Sequence, residues 1–286
     1  MKSGIVIIEK EAGYTSQNIV SKVKKILNVK KAGHIGTLDP LATGVLPVLI
    51  GDATKLSKYL IEHDKTYIAT IQLGQKKDTG DEEGNVLEEA EVGFLDEETV
   101  KHILKQMQGK QKQAPHPYSA VKINGKKLYE YAREGKNIEI PKREIEIYSI
   151  KLLGIDNLKK QISFEVSCSK GTYIRVLCED IAEKLETVGY MKFLQRTKVN
   201  KFKIENAVKL EKLSEENMIS VEKLCQEYEK IELDDRKVEL FLNGVRLTVY
   251  ENEGIYSIYH CGKFIGLGNV KNGLLKRDVV VRENFS

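Results

Sequence analysis

The stretch Gly33–Val48 reads GHIGTLDPLATGVLPV and leads into an apolar run that ends at Ile50. Its first twelve residues contain three glycines, His34 and Asp39. Glycine permits positive φ and close approach of another chain or a ligand. Pro40 disfavours the helical conformation at Asp39. The pattern predicts a loop that presents a carboxylate just before a buried strand. Local chemistry alone also leaves open a simple Asp-Pro turn and a structural histidine.

Hydrophobic periodicity on both sides of this loop predicts an α+β fold. Four alternate residues of the segment 65–73 are apolar or aromatic, which is typical of a half-buried strand. The same reasoning predicts strands at 5–8, 45–50, 143–154 and 161–169, and helices starting at Thr15 or Ser16 and covering 52–60, 96–107 and 172–188. Residues 206–232 are predicted to be mainly helical. Without a regular βαβ rhythm, these elements favour a mixed, mostly antiparallel sheet with flanking helices.

The character of the sequence changes after residue 232. A short helix is followed by short apolar runs near 256–259, 264–267 and 279–281, separated by glycine-containing turns. This pattern indicates a small β-rich domain. We predict a first domain over residues 1–232 and a second over residues 233–286.

Charge is distributed unevenly along the chain. The formal net charge is only +4, but residues 77–100 are strongly acidic and residues 101–136 carry nine Lys or Arg residues against Glu130 and Glu134. A basic block in a near-neutral chain is typical of a surface that binds phosphates. A solvated helix-and-loop face remains the alternative interpretation.

The spacing of the cysteines bears on metal binding, and the N-terminal sequence bears on cellular location. The four cysteines form no CxxC pair, and we find no histidine at metal-ligand spacing from them, so we predict reduced thiols and no metal site. The opening MKSGIVIIEKEAG reaches charged residues too early for a signal peptide. No apolar run approaches about 20 residues, so we predict a cytoplasmic protein with no membrane association.

Several long motifs in one order resemble the TruB family of tRNA pseudouridine synthases. The stretch Gly33–Val48 resembles the family's signature loop, and GIVIIEKEAGYTS resembles its opening motif, with Glu11-Ala12 in place of a proline-containing turn. Three further stretches resemble family motifs: Lys65-Thr66-Tyr67, the segment 113–133 and Gly171-Thr172-Tyr173-Ile174-Arg175. Leu194-Gln195-Arg196-Thr197 also resembles a family motif, with Gln195 in place of an Arg. Phe264-Ile265-Gly266-Leu267-Gly268 resembles part of a PUA RNA-binding module. A set of ordered motifs is far more specific than one short motif.

The resemblance implies a pseudouridine synthase fold with a C-terminal PUA-like domain and a cofactor-free isomerisation of uridine in the T arm of tRNA, at position 55. It implies that Asp39 is the catalytic carboxylate, that Arg175 pairs with it, and that Tyr67 stacks on the base and assists the C5 proton. It assigns substrate contacts to His34, Tyr67, Tyr173 and Leu194. The insertion at about 101–136 is expected to grip tRNA, with RNA contacts at Lys122, Lys126, Lys127, Arg133 and Arg196.

Two other functions fit the same motifs. A guide-RNA-dependent synthase shares the catalytic core but relies on partner proteins, whereas this chain has its own insertion, so we predict no obligatory protein partner. A non-catalytic RNA-binding or tRNA-folding protein is the second alternative. Against it, Asp39, Tyr67, Tyr173 and Arg175 are all present.

Overall fold

The computed structural model describes residues 2–60, 64–119, 121–136 and 138–281. Its α-helices are α1 (Ser16–Ile26), α2 (Ser57–Leu60), α3 (Glu97–Gln106), α4 (Leu128–Arg133), α5 (Ile174–Lys184), α6 (Val221–Leu224) and α7 (Asp235–Leu242). Its strands are β1 (Gly4–Lys10), β2 (Ala32–His34), β3 (Thr43–Ile50), β4 (Lys65–Leu73), β5 (Gln75–Lys77), β6 (Val86–Glu89), β7 (Gly109–Gln113), β8 (Lys122–Ile123), β9 (Lys126–Lys127), β10 (Arg143–Asp156), β11 (Gln161–Cys168), β12 (Gly189–Val199), β13 (Phe202–Lys203), β14 (Ile219–Ser220), β15 (Lys230–Glu232), β16 (Leu247–Thr248), β17 (Gly254–His260), β18 (Lys263–Lys271) and β19 (Leu274–Val280).

A large mixed sheet organises the first part of the chain. Its strand order is β14-β1-β3-β12-β4-β11-β10-β7, with β2 paired to β3 and β13 paired to β12. Neighbouring strands are antiparallel except β3 and β12, which are parallel. The predicted fold class is confirmed. The β3–β12 pair matters for function, because it brings the end of the signature loop beside the strand that carries Leu194 and Arg196.

The long helices bury one apolar face against this sheet. Helix α1 is N-capped by Thr15 through a capping box, and its buried residues include Ile19, Val20 and Val23. Such a cap satisfies backbone N–H groups that lack intrahelical partners. Helices α3 and α5 contribute buried side chains to the same hydrophobic cluster.

Two sequence predictions need correction in the second half of this domain. Residues 189–199 form the central strand β12, where two register shifts against β4 interrupt the simple alternation that identifies strands. The predicted helix over 172–188 accordingly stops at Lys184. The region 206–232 is not mainly helical: it contains three-residue 3₁₀ turns, the four-residue α6 and two short strands.

The segment at about 101–136, predicted to be one tRNA-gripping insertion, belongs to two different structural units. Helix α3 packs Val100, Ile103 and Leu104 into the main core, and β7 forms the edge of the main sheet beside β10. Residues 101–113 therefore belong to the large mixed sheet and the helices packed on it. Only the following segment leaves the sheet, and it contains the small β8–β9 hairpin and α4. We define residues 121–136 as the basic hairpin.

The C-terminal part forms a second, five-stranded sheet with the order β15-β17-β18-β19-β16. Helix α7 packs Val238 and Phe241 into the core of this sheet. On the other side, Tyr259, Phe264 and Leu267 share a hydrophobic cluster with residues of β1 and β3. The small β-rich domain is confirmed, and its sheet starts at Lys230, just before the predicted boundary. The shared cluster packs this domain against the large mixed sheet.

In the described ranges, we find no helix whose length and apolar character suit a membrane span.

Candidate active site

Asp39 lies in the loop that joins β2 to β3, and its side chain is 36 % exposed. One carboxylate oxygen, Oδ2, is 3.2 Å from Nε of Arg175, whose side chain is only 7 % exposed. Arg175 is the second residue of α5. A cation in the first turn of a helix opposes the helix dipole, so this position needs anionic partners. The structure thus brings together the two residues that the sequence predicts to pair.

A second carboxylate holds the far side of the same guanidinium. Nη1 of Arg175 donates to the carbonyl of Thr79 at 2.8 Å and lies 3.3 Å from Oδ2 of Asp81, which is itself buried. Nη2 donates to the carbonyl of Tyr118 at 3.0 Å. The guanidinium is therefore fixed by four groups, and only Nε faces Asp39. The two carbonyl hydrogen bonds and the two carboxylate contacts together set the orientation of Arg175.

Asp81 is a residue that sequence reasoning missed. It lies among the exposed acidic residues of 77–100, and nothing in that composition distinguishes it from its neighbours. Its burial identifies it: its Oδ1 accepts hydrogen bonds from the hydroxyl of Thr79 at 2.6 Å and from the backbone N–H of Glu83 at 3.2 Å. The local sequence DTGDEEG carries the only available signal, a turn with an Asp that can bond its own backbone.

The opening motif holds the loop around Asp39 in place. Lys10, fully buried at the end of β1, donates through Nζ to the carbonyls of Glu11 at 3.0 Å, Pro40 at 3.0 Å and Ala42 at 2.6 Å. Ser16 makes two hydrogen bonds with the backbone of Leu38, accepting from its N–H at 2.9 Å and donating to its carbonyl at 3.0 Å. Residues on both sides of Asp39 are thereby tied to β1 and α1.

The charge on Lys10 adds to this arrangement. Burial lowers the pKa of Lys10 to about 8, and the Asp39 carboxylate opposes that shift. The ammonium is thus the major form at pH 7, which keeps all three of its donors on the loop carbonyls. Lys10 is a second residue that sequence reasoning missed, because a lysine at a strand end is usually exposed.

Lys10→Met is expected to lower the single-turnover rate by about 10- to 100-fold, because small displacements of reacting groups cost that much. Binding of tRNA is expected to change little, since Lys10 is not on the surface. Rapid-quench measurement at saturating enzyme checks the rate. Lys25→Met, at an exposed position of α1, is the matched control. A folded Lys10→Met variant with the unchanged rate would mean that the other anchors suffice to hold the loop.

Tyr67 and Arg196 lie opposite each other on the neighbouring strands β4 and β12. Burial raises the pKa of Tyr67 to about 12, and the adjacent Arg196 guanidinium opposes that shift. Arg196 is fully buried, and it donates from Nε to the carbonyl of Val45 at 2.8 Å and from Nη2 to that of Gly36 at 2.9 Å. The prediction that Arg196 contacts RNA does not agree with this position. Arg196 instead holds the backbone of the stretch Gly33–Val48 in place through its hydrogen bonds to two carbonyls of that stretch.

His34 is half-buried on β2, opposite Val48. Burial lowers its pKa, and the positive charge of Arg196 lowers it further. At neutral pH the imidazole is therefore uncharged, with one donor and one acceptor nitrogen. Among the described residues, its Nδ1 has no hydrogen-bond partner.

Tyr173 and Leu194 complete the set of predicted substrate contacts. The side-chain amide of Gln113 accepts from the backbone N–H of Tyr173 at 2.7 Å and donates to its carbonyl at 3.1 Å. This clamp fixes the residue just before α5. Burial raises the pKa of Tyr173, and a hydrogen bond with Ser119 and the charges of Arg143 and Arg175 oppose that shift. Leu194 is buried on β12, opposite Ala69 of β4, and provides an apolar surface.

The remaining predicted RNA contacts gather on the basic hairpin. Lys122 and Arg133 are exposed, whereas Lys126 and Lys127 are partly covered. Lys126 is paired with Glu134, and Nζ of Lys127 donates to the hydroxyl of Tyr129 at 3.2 Å. Arg133 lies over the ring of the same tyrosine, 5.4 Å from its centre. The structure places these four residues on one unit. Tyr118, which precedes this unit in the sequence, accepts a hydrogen bond from Arg175 through its carbonyl.

Solved structures show the same architecture. The chain aligns over 99 % of its length, with 24 % identity and a TM-score of 0.69, with a structure described as an H/ACA RNP bound to a substrate RNA containing 2′-deoxyuridine. It aligns over 97 % of its length, with 25 % identity and a TM-score of 0.66, with an archaeal box H/ACA sRNP Nop10–Cbf5 complex. At this level of identity, the likeness concerns the fold.

Relatives named tRNA pseudouridine synthase B are closer in sequence. One from Psychrobacter arcticus is 48 % identical over 72 % of this chain, and the match spans only 55 % of that relative. One from Caldanaerobacter subterraneus is 41 % identical over 93 % of this chain and 94 % of the relative. One from Aquifex aeolicus is 40 % identical over 95 % and 97 %, respectively.

Two family models match the chain, and together they cover the loop of Asp39 and Arg175. Residues 24–174 match the N-terminal domain of the TruB family pseudouridylate synthases, and residues 175–236 match the C-terminal domain of tRNA pseudouridylate synthase B. The first match includes Asp39 and Tyr67, and the second begins at Arg175. The chain therefore belongs to the TruB family of pseudouridylate synthases.

Proposed function

We propose that this protein isomerises uridine to pseudouridine in tRNA. The observation that carries the proposal is the Asp39–Arg175 pair, in which a partly exposed carboxylate is held at 3.2 Å by a buried guanidinium. Relatives that are 40–41 % identical over more than nine-tenths of the chain are named tRNA pseudouridine synthase B. A buried arginine that joins a buried carboxylate to a partly exposed one supports a catalytic site over an inactive RNA-binding protein.

The reaction needs no external group. The N1–C1′ bond of uridine breaks, the base rotates, and C5 bonds to C1′. The C5 proton leaves and N1 is protonated, so substrate and product are isomers. A carboxylate is a competent nucleophile or base for such a step. Arg175 fixes the position of the Asp39 carboxylate by pairing with it at 3.2 Å. We therefore expect the step to require neither metal nor organic cofactor.

We assign the other site residues by their positions. Tyr67 offers an aromatic face for the flipped base and a hydroxyl toward C5. Leu194 forms the apolar floor, Tyr173 holds the base or the ribose, and neutral His34 contacts the extruded nucleotide. Flipping a base out of a folded loop costs a few kcal/mol. Contacts of tRNA with the basic hairpin and the C-terminal domain offset that cost, and the T arm, position 55, is the substrate site that we propose.

Charge reversal on the basic hairpin tests the RNA contact. Lys122→Glu is expected to raise the tRNA dissociation constant and to reduce the slope of log K against log salt by roughly 0.7 to 0.9. Replacement of Lys122, Lys126 and Lys127 together by Glu is expected to raise the dissociation constant further and to reduce the slope more. Lys159→Glu, an exposed residue in the β10–β11 turn, is the matched control. An unchanged slope for Lys122→Glu would identify the hairpin as a solvated face.

Sequence-resolved mapping of pseudouridine on tRNA incubated with the purified chain tests the proposal itself. Modification of bare tRNA at position 55 is the expected result. The guide-RNA-dependent alternative, suggested by the H/ACA particles that share the fold, predicts no modification until guide and partner proteins are added. A non-catalytic RNA-binding or tRNA-folding protein would bind tRNA and leave every uridine unchanged. The predicted cytoplasmic location stays a prediction.

A further inference from the structure

Three metal-ligand side chains meet in the C-terminal domain, where the start of α7 approaches the β17–β18 turn. Asp235 is the first residue of α7, His260 is the last residue of β17, and Cys261 follows in the turn to β18. One ligand atom from each lies within 4.8 Å of the other two. We propose that these residues form a zinc-binding site.

The orientation of His260 supports metal binding. Its Nδ1 lies 2.9 Å from the carbonyl of Leu233, and because a carbonyl only accepts hydrogen bonds, Nδ1 must carry the proton. In the neutral ring, Nε2 then carries the lone pair, and it lies 3.4 Å from Oδ1 of Asp235. Histidine ligands of zinc ordinarily donate their second nitrogen to a carbonyl or carboxylate in this way, which fixes both tautomer and ring orientation.

Two distances from Nε2 of His260 equal those found around a tetrahedral ion. Typical bonds of zinc to nitrogen and oxygen are about 2.0–2.1 Å and to sulfur about 2.3 Å. With tetrahedral angles they separate nitrogen from sulfur by about 3.6 Å and nitrogen from oxygen by about 3.4 Å. Nε2 of His260 lies 3.6 Å from Sγ of Cys261 and 3.4 Å from Oδ1 of Asp235. Sγ also lies 3.9 Å from Nδ1, so the thiol is beside the ring and the Cys261 side chain must rotate to reach an ion on the Nε2 lone pair.

The backbone around the three ligands is already held in place. The N–H of Leu233 donates to the carbonyl of Tyr259 at 2.8 Å, which joins the segment before α7 to the end of β17. Oε1 of Glu232 accepts from the N–H of Gly262 at 3.1 Å, which fixes the turn beside Cys261. Asp234 caps α7 with its own side chain, so the carboxylate of Asp235 is not needed as the cap. These contacts reduce the ordering that binding would otherwise require.

Cysteine is an unusual choice for this turn. Cys261 and Gly262 both have positive φ, 48° and 70°. Two consecutive residues of this kind form a tight hairpin turn that strongly prefers Asn-Gly. The next hairpin has Asn272-Gly273 with nearly the same angles, 51° and 69°. The β17–β18 turn therefore has Cys261 where Asn is conformationally preferred, and this residue places a thiol next to His260.

The donor set selects the kind of ion. Thiolate and imidazole ligands favour zinc over magnesium and calcium, which prefer all-oxygen sites. Two of the three residues are exposed, so a water molecule can take the fourth position. The bound ion would link the start of α7 to the β17–β18 hairpin. We predict no metal site at the cysteines from the sequence pattern. His260 and Cys261 are adjacent, but the third ligand, Asp235, comes from a separate segment that only folding brings near.

The test uses the full-length, untagged protein, freed of metal by a chelator and kept reduced by a phosphine. Titration with Co²⁺, a spectroscopic substitute for Zn²⁺, is expected to produce a thiolate-to-cobalt charge-transfer band that saturates at one ion per chain. Zn²⁺ is expected to abolish the band, whereas Mg²⁺ is not. No band, or a band that Mg²⁺ removes equally well, would overturn the proposal.

Variants identify the ligands without disturbing the turn. Cys261→Asn restores the preferred turn residue and is expected to weaken Zn²⁺ binding at least about a hundredfold, since even outer partners of a metal site contribute 10- to 100-fold. Asp235→Asn is expected to weaken it by a smaller factor.

The control is Asn272→Cys in the Cys261→Asn background, which moves the thiol to the equivalent turn beside Lys271. This variant is expected to remain as weak as Cys261→Asn. If it binds Zn²⁺ like the wild type, an exposed thiol alone explains the affinity and there is no site. Equal affinity of wild type and Cys261→Asn would likewise leave only a His260–Asp235 ion pair.

Discussion

Asp39→Asn is expected to abolish turnover on tRNA while the dissociation constant stays within about tenfold. Asparagine has nearly the same shape as aspartate but is neither a nucleophile nor a base. Binding comes from many phosphate contacts that this substitution leaves in place. Pseudouridine formation under multiple-turnover conditions and filter binding of tRNA give the two readouts.

The surroundings of Asp39 provide the control. Asp81→Asn also removes one carboxylate from Arg175, but Asp81 is buried on the far side of the guanidinium. We expect a slower but measurable reaction in that variant, because the catalytic carboxylate remains. Measurable multiple turnover by Asp39→Asn would contradict the assignment of Asp39. A complete loss in both variants would show that the pair of carboxylates acts as one unit.

Tyr67→Phe is expected to slow release of tritium from C5 by at least about a hundredfold, with near-normal tRNA binding. The hydrogen at C5 must leave when C5 bonds to the ribose, so tritium at that position reports product formation. Phenylalanine keeps the aromatic face but lacks the hydroxyl. A hundredfold loss is typical for a positioned acid–base group.

The raised pKa of Tyr67 adds a second readout. With a pKa of about 12, roughly one molecule in 10⁵ carries the tyrosinate at pH 7. If the tyrosinate accepts the C5 proton, its fraction rises about tenfold for each unit of pH below 12, and tritium release should rise with it. We expect this dependence in the wild type between pH 6 and 8, and its absence in Tyr67→Phe.

Tyr67→Leu separates stacking from proton transfer. Base–aromatic stacking is worth roughly 1–3 kcal/mol, so loss of the ring should weaken engagement of the flipped base as well. Suppose instead that Tyr67→Phe releases tritium at the wild-type rate while chemistry is rate-limiting. Tyr67 is then a packing residue, as its burial on β4 would also allow, and the proton acceptor lies elsewhere.

Several features of the fold follow directly from local patterns. Alternation identifies β4 as half-buried, and its predicted inward residues, Tyr67, Ala69, Ile71 and Leu73, are all buried. Asn124-Gly125, a dipeptide typical of two-residue hairpin turns, joins β8 to β9. These features follow local patterns because each depends on residues close in sequence.

Patterns fail where a strand is irregular or a segment lacks periodicity. The central strand β12 is bulged, so its inward and outward residues do not alternate regularly. Residues 206–232 have a helix-forming composition, yet they follow the edge of the sheet as short turns, where contacts with the core override propensity. Helix α3 looks like part of a basic surface in sequence, although its opposite face is core.

By itself, the sequence determined the loop of Asp39, the half-buried strand of Tyr67, the mixed sheet class and the ordered motifs that indicate the family. Only the tertiary structure decided that Asp81 shares Arg175, that Lys10 holds the loop, that Arg196 is buried and that Asp235 meets His260 and Cys261. Local conformation depends on neighbouring residues, which a pattern contains. A distance between side chains far apart in the chain depends on strand order and register, which no local pattern specifies.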